Sequence, residues 1–116
     1  MKEELITEGK YKYIEVGEGN PIIILHGLLG GLSNFNGVAK HFPPLGYKVL
    51  IPELPIYSMP LLKTNVKSFA KFLEGFIKYK GLKDVILLGN SLGGHIGLLQ
   101  TKLNPSLVKA LVITGK

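Results

Sequence analysis

Two short stretches of the chain have the residue types and spacing for covalent chemistry. The more specific is Gly89-Asn90-Ser91-Leu92-Gly93, a G-x-S-x-G that directly follows the apolar run Val85-Ile86-Leu87-Leu88 and directly precedes a helical pattern starting at Leu92. A serine in such a strand-turn-helix setting sits on a sharp turn with its hydroxyl free at the C-terminal edge of a sheet. Residues two positions away on either side must lack a Cβ or clash, and Gly89 and Gly93 meet that demand. The same turn aims the first N–H groups of the helix, including that of Leu92, at whatever bonds to Ser91, an arrangement suited to a developing oxyanion. The chemistry is nucleophilic attack by Ser91 on an acyl carbon. The competing reading is a glycine-rich helix start with an incidental serine.

The second stretch is Leu25-His26-Gly27-Leu28-Leu29-Gly30-Gly31, where an apolar run ends in His-Gly and opens into a loop able to present backbone donors. It lacks the Gly-Lys-Ser/Thr ending of a phosphate-binding loop. Gly17-Glu18-Gly19-Asn20-Pro21-Ile22 lacks the third glycine of a dinucleotide fingerprint. Nucleotide binding is disfavoured at both.

The elements that must position these stretches can be read from periodicity. Leu5-Ile6-Thr7 and the alternating Tyr11 to Val16 suggest an antiparallel hairpin through Glu8-Gly9-Lys10. Ile22 to Leu25, Lys48 to Ile51, Val85 to Leu88 and Val108 to Ile113 are short apolar runs, as expected of strands buried in a parallel sheet. Between them, Val66, Phe69, Ala70, Leu73, Phe76 and Ile77 form a helical stripe that Thr64 or Asn65 could cap. Ser33 to Phe42 is a weaker helix, limited by Pro43-Pro44, and Leu92 to Leu103 is an apolar helix whose Gly93, Gly94 and Gly97 permit close approach to a sheet. The expectation is an α/β fold: a mostly parallel sheet with an antiparallel N-terminal hairpin and flanking helices.

Composition narrows the function. The 116 residues, 46% hydrophobic and 19% charged, suit one globular domain, and no internal repeat or linker divides them. The net charge of +6 comes from scattered lysines with no arginine, so the planar fork that reads phosphates and guanines is missing and nucleic-acid binding is disfavoured. The absence of cysteine removes disulfides, thiolate nucleophiles and thiolate zinc sites, and fits a reducing, cytoplasmic setting. No apolar stretch approaches the roughly 18 residues a membrane helix needs.

Taken together, His26-Gly27 after the third strand and the Ser91 turn after the fifth resemble the α/β-hydrolase family, over essentially all 116 residues. By that resemblance Ser91 matches the nucleophile, and the backbone N–H groups of Leu28 and Leu92 match the oxyanion hole. No cofactor or metal is implied. Asn34-Phe35 and Gly93-Gly94-His95 give a local texture similar to the esterase, lipase and carbon–carbon hydrolase branches, so the implied substrate is a small-molecule carboxylic ester or related acyl compound.

A nucleophilic serine needs a base and an acid, which in this family follow it in the order acid, then histidine. No Asp or Glu follows Ser91, and the only later histidine is His95, one helical turn on, where the family commonly carries a packing residue. His26 is in the family a buried residue that holds the loops, and His41 sits before Pro43; neither is a good base. Asp84 opens the strand whose other end carries Ser91, so the length of the strand separates them. Glu53 lies at the right sheet edge, where the family places no triad acid. The expectation is that residues 1–116 are the N-terminal part of an α/β-hydrolase domain, strands one to six, an incomplete version of the fold. The acid, base and specificity-shaping cap belong downstream, and the chain alone has little activity. The alternative is a non-catalytic binding module on a hydrolase scaffold. The family's order, with strand four between two and three and strand seven beyond six, would leave Val108 to Ile113 as an apolar edge, open to self-association.

Overall fold

The computed structural model describes residues 5–25, 41–53, 66–90 and 92–114. Leu5–Glu8 (β1) and Tyr11–Val16 (β2) form the expected antiparallel hairpin, closed by Gly9 at φ 57°. Asn20–Leu25 (β3), Tyr47–Pro52 (β4), Val85–Asn90 (β5) and Val108–Thr114 (β6) are mutually parallel. With β2 antiparallel to β4, the sheet runs β1-β2-β4-β3-β5-β6. Two helices are described, Val66–Tyr79 (α1) and Leu92–Leu103 (α2), with single 3-10 turns at Pro43–Leu45 and Pro105–Leu107. The segment expected to be helical from Ser33 lies outside the described residues except for its last two, as do the candidate caps Thr64 and Asn65. Among the described residues, no helix is long and apolar enough to cross a membrane.

The core has two layers because β3 and β4 send alternate apolar residues to opposite faces. Ile23, Leu25, Leu50 and Leu87 pack under Phe69, Leu73 and Phe76 of α1 and Ile96 of α2, while Ile22, Ile24, Val49 and Ile51 cover the other face beneath Phe42 and Tyr47. The α1 stripe is buried as its spacing predicts, with Lys67, Lys71 and Lys78 outside. Its C-terminus is closed by Gly81 at φ 66°: Gly81 N–H bonds to the Lys78 carbonyl and Leu82 N–H to that of Ile77, the paired bonds of a left-handed helix stop. Gly17 and Gly19, at φ 88° and 118°, make the β2–β3 turn; a Cβ on Gly19 would stand 2.1 Å from the Gly46 carbonyl oxygen. Their role in the turn is steric.

A polar cluster fastens the hairpin to the end of α1. Tyr13 Oη donates to Glu8, Tyr79 Oη donates to the same carboxylate at 3.3 Å, and Lys80 Nζ donates to Tyr13 Oη at 3.0 Å while pairing with Glu15 at 3.0 Å. Burial and the bond to Glu8 raise the Tyr13 phenol above its ordinary range. Burial alone would lower Lys80, but its bonds to Tyr13 and Glu15 outweigh that and raise it.

One expectation is corrected. Val108 to Ile113 reads as a buried strand, yet Val112 and Ile113 are 45% and 51% exposed. The reason is position: β6 is the last strand of the described sheet, with only β5 beside it.

Candidate active site

The C-terminal ends of the parallel strands share one sheet edge. Leu25 of β3 lies opposite Gly89 of β5, and Asn90 lies opposite Thr114 of β6. The chain therefore leaves β3 toward His26 and β5 toward Ser91 from neighbouring strand ends. Ser91 itself, with His26 and Leu28, lies outside the described residues; its neighbours Asn90 and Leu92 are the last residue of β5 and the first of α2.

The packing of this turn accounts for its glycines. A Cβ on Gly89 would meet the Gly93 carbonyl oxygen at 2.4 Å and the Gly94 Cα at 2.7 Å. A Cβ on Gly93 would meet the Leu25 carbonyl oxygen at 2.1 Å. The first turn of α2 is thus pressed against its own strand and against the end of β3, and backbone atoms cannot move aside as a flexible side chain can. Farther along, Gly94 receives Ile113 and Gly97 receives Leu111, so β6 docks on the same helix. Asn90 Oδ1 accepts a bond from Thr114 Oγ1 at 3.3 Å, which ties the residue before Ser91 to the end of β6.

The candidate bases and acids are scattered. His95 is exposed on α2, which removes the packing role expected for it. His41 is exposed beside the Phe42 ring and precedes the 3-10 turn that leads into β4, so it belongs to the opposite sheet edge. Asp84, at φ 51°, immediately precedes β5 and is also at that far edge. Glu53 is at the correct edge, its N–H bonded to the Lys12 carbonyl at 2.7 Å, but it follows β4, two strand spacings from β5 across β3, about 10 Å at about 4.8 Å per spacing. Sequence reasoning did not single out Thr114; an apolar run ending in threonine opposite Asn90 gives no such signal before the register is known. Among the described residues, no group of three or more His, Asp or Glu side chains could hold a metal ion.

A mostly parallel sheet in this order, with a glycine-framed turn after β5 and a helix packed on the end of β3, is the arrangement of a partial α/β-hydrolase fold. The chain belongs to the alpha/beta hydrolase fold family, which matches residues 20–116. It is 64% identical to an α/β hydrolase enzyme from the metagenome of lagoon sediments at Mar Chica, Morocco, with a TM-score of 0.93 over 97% of this chain and 52% of that one. It is 30% identical to a marine microorganism esterase, with a TM-score of 0.79, covering 97% of this chain and 41% of that one. A 2-hydroxy-6-oxononadienedioate/2-hydroxy-6-oxononatrienedioate hydrolase of Pseudomonas putida is 32% identical over 111 residues, 89% of this chain and 39% of that protein. The chain therefore spans about half the first of these enzymes and about two fifths of the others.

Proposed function

We propose that these residues form the nucleophile half of a serine hydrolase acting on carboxylic esters or related small acyl compounds. Ser91 Oγ attacks the acyl carbon, and the N–H groups of Leu28 and Leu92 receive the negative charge that develops on the carbonyl oxygen. The observation that carries this reading is the contact of Gly93 with the Leu25 carbonyl, which supports a junction between the turn holding Ser91 and the strand leading to Leu28. The acid, the histidine base and the cap fall, in this reading, within the part of the relatives' length that this chain does not span. Hydrolysis of an oxo-dienedioate of the kind named for the Pseudomonas relative is a second substrate class. The absence of cysteine supports a cytoplasmic setting. The dispersed placement of His95, Asp84 and Glu53 supports low activity for the chain alone, and with it the alternative of a non-catalytic interaction module.

The test is hydrolysis of a short-chain aryl ester by the purified chain beside Ser91→Ala. Expected is a slow rate, far below that of a complete esterase, that disappears in the variant. A rate equal in the two proteins would leave the interaction module as the better account.

A further inference from the structure

The strand β5 is apolar or glycine until its last residue, Asn90, and asparagine is a poor strand former. Its side chain reaches across the sheet instead: Oδ1 accepts the 3.3 Å bond from Thr114 Oγ1, between the last residues of two neighbouring strands. The register that brings the two together is made at the far end of β6. Val85 pairs with Val108 but Ile86 pairs with Ala110, so Lys109 is an extra residue and every later pair is shifted by one. Without that bulge, Ile113 would stand opposite Asn90. A bulge re-aims the side chains beyond it. Here it puts Asn90 and Thr114 on the sheet face that carries Ile86 and Leu88, while Leu111 and Ile113 fall on the other face and meet Gly97 and Gly94 of α2.

Only Ser91 separates Asn90 from Leu92, the first residue of α2, so a shift of Asn90 passes directly to the serine. The helix end of this link is fixed by Gly93 against the Leu25 carbonyl of β3. The strand end is the last pair of the β5–β6 ladder, and the ends of elements open most readily. We infer that Thr114 is a positioning residue for the nucleophile: by holding Asn90 Oδ1, its hydroxyl fixes the end of β5 at the place from which Ser91 attacks. The inference rests on the reading of Ser91 as the nucleophile. The turn is then held from β3 through Gly93 and from β6 through Asn90. Misplacing a reacting group by about 1 Å costs up to about a hundredfold in rate, so loss of the tie falls on the bond-forming step rather than on capture of the acyl compound.

The experiment follows labelling of the full chain by an alkyl fluorophosphonate at several concentrations, which separates the rate of the bonding step from affinity for the probe. Ser91 Oγ bonds to phosphorus, fluoride leaves, and the serine proton passes to solvent; the adduct at Ser91 is counted by mass spectrometry. Thr114→Val keeps the shape and removes the donor, and is expected to slow the bonding step about three- to tenfold with affinity unchanged. Thr114→Ser restores the hydroxyl and is expected to recover most of the rate. Asn90→Ala removes the acceptor and is expected to be slowed as well, with the double variant no slower than the slower single one; it serves alone if Thr114→Val loses its circular dichroism signal. A Thr114→Val chain that unfolds in less urea but labels at the unsubstituted rate overturns the inference, because the bond then serves stability only. So does a loss that Thr114→Ser leaves in place, or losses that multiply in the double variant. No adduct on Ser91 in the unsubstituted chain is a separate failure: it removes the nucleophile reading and this inference with it.

Discussion

The carbonyl oxygen of Leu25, the last residue of β3, lies 2.1 Å from where a Cβ would stand on Gly93, the last glycine of the Ser91 turn. Strand and helix backbones meet there with no side chain between them. Gly93→Ala must therefore move main chain, and it is expected to cost about 1–3 kcal/mol or more. Gly97→Ala meets side chains rather than main chain, the nearest being the Leu111 tip at 2.9 Å, and is expected to cost less. Urea unfolding of the two variants checks the order; equal costs would contradict it.

The cluster around Tyr13 predicts a loss of stability in alkali. Tyr13 and Lys80 both hold their protons more tightly in the folded chain than their ordinary values near pH about 10 allow. The native state thus binds more protons than the unfolded one above that pH, and stability, full below it, falls as pH rises through it. The urea midpoint is expected to drop between neutral pH and pH about 11, and to drop less in Lys80→Met. An equal drop in both proteins would place its origin elsewhere.

Phe76 stands in edge or tilted contact with Tyr11 and Tyr13, at ring-centroid distances of 5.6 Å and 5.2 Å, and is fully buried. It joins α1 to the hairpin strand β2. Phe76→Ala is expected to cost about 3–5 kcal/mol, measured by urea unfolding.

Gln100, on the inner face of α2, is fully buried, and neither atom of its amide has a hydrogen-bond partner among the described residues. Such a group costs about 1–3 kcal/mol when desolvated and unpaired. Gln100→Met keeps the volume and removes the polar atoms, so it is expected to raise the unfolding midpoint rather than lower it.

The strands and the helical stripe of α1 are legible in the sequence because each has a strong period or a continuous apolar run, whereas the order of the strands in the sheet is implied only by the resemblance to the family. The turn at Ser91 is legible because Gly89 and Gly93 have no tolerable substitute where backbone meets backbone. Three features are not legible, for three reasons. Ala110 to Thr114 is as apolar as a central strand, so the run itself does not show its place at the end of the described sheet, which only the family resemblance implies. His95 shares its helix with buried Gly94 and Ile96, and only the docking of α2 decides which way it faces. The cluster of Glu8, Tyr13, Glu15, Tyr79 and Lys80 joins residues up to 71 positions apart, beyond the reach of any local pattern.

The central claim is that Ser91 is the nucleophile, and the most direct measurement is fluorophosphonate labelling of the purified chain, with the adduct located by tandem mass spectrometry. The account predicts a single, slowly formed adduct on Ser91 that is absent from Ser91→Ala. An unmodified Ser91 after prolonged exposure, or an adduct that persists in Ser91→Ala, would contradict it.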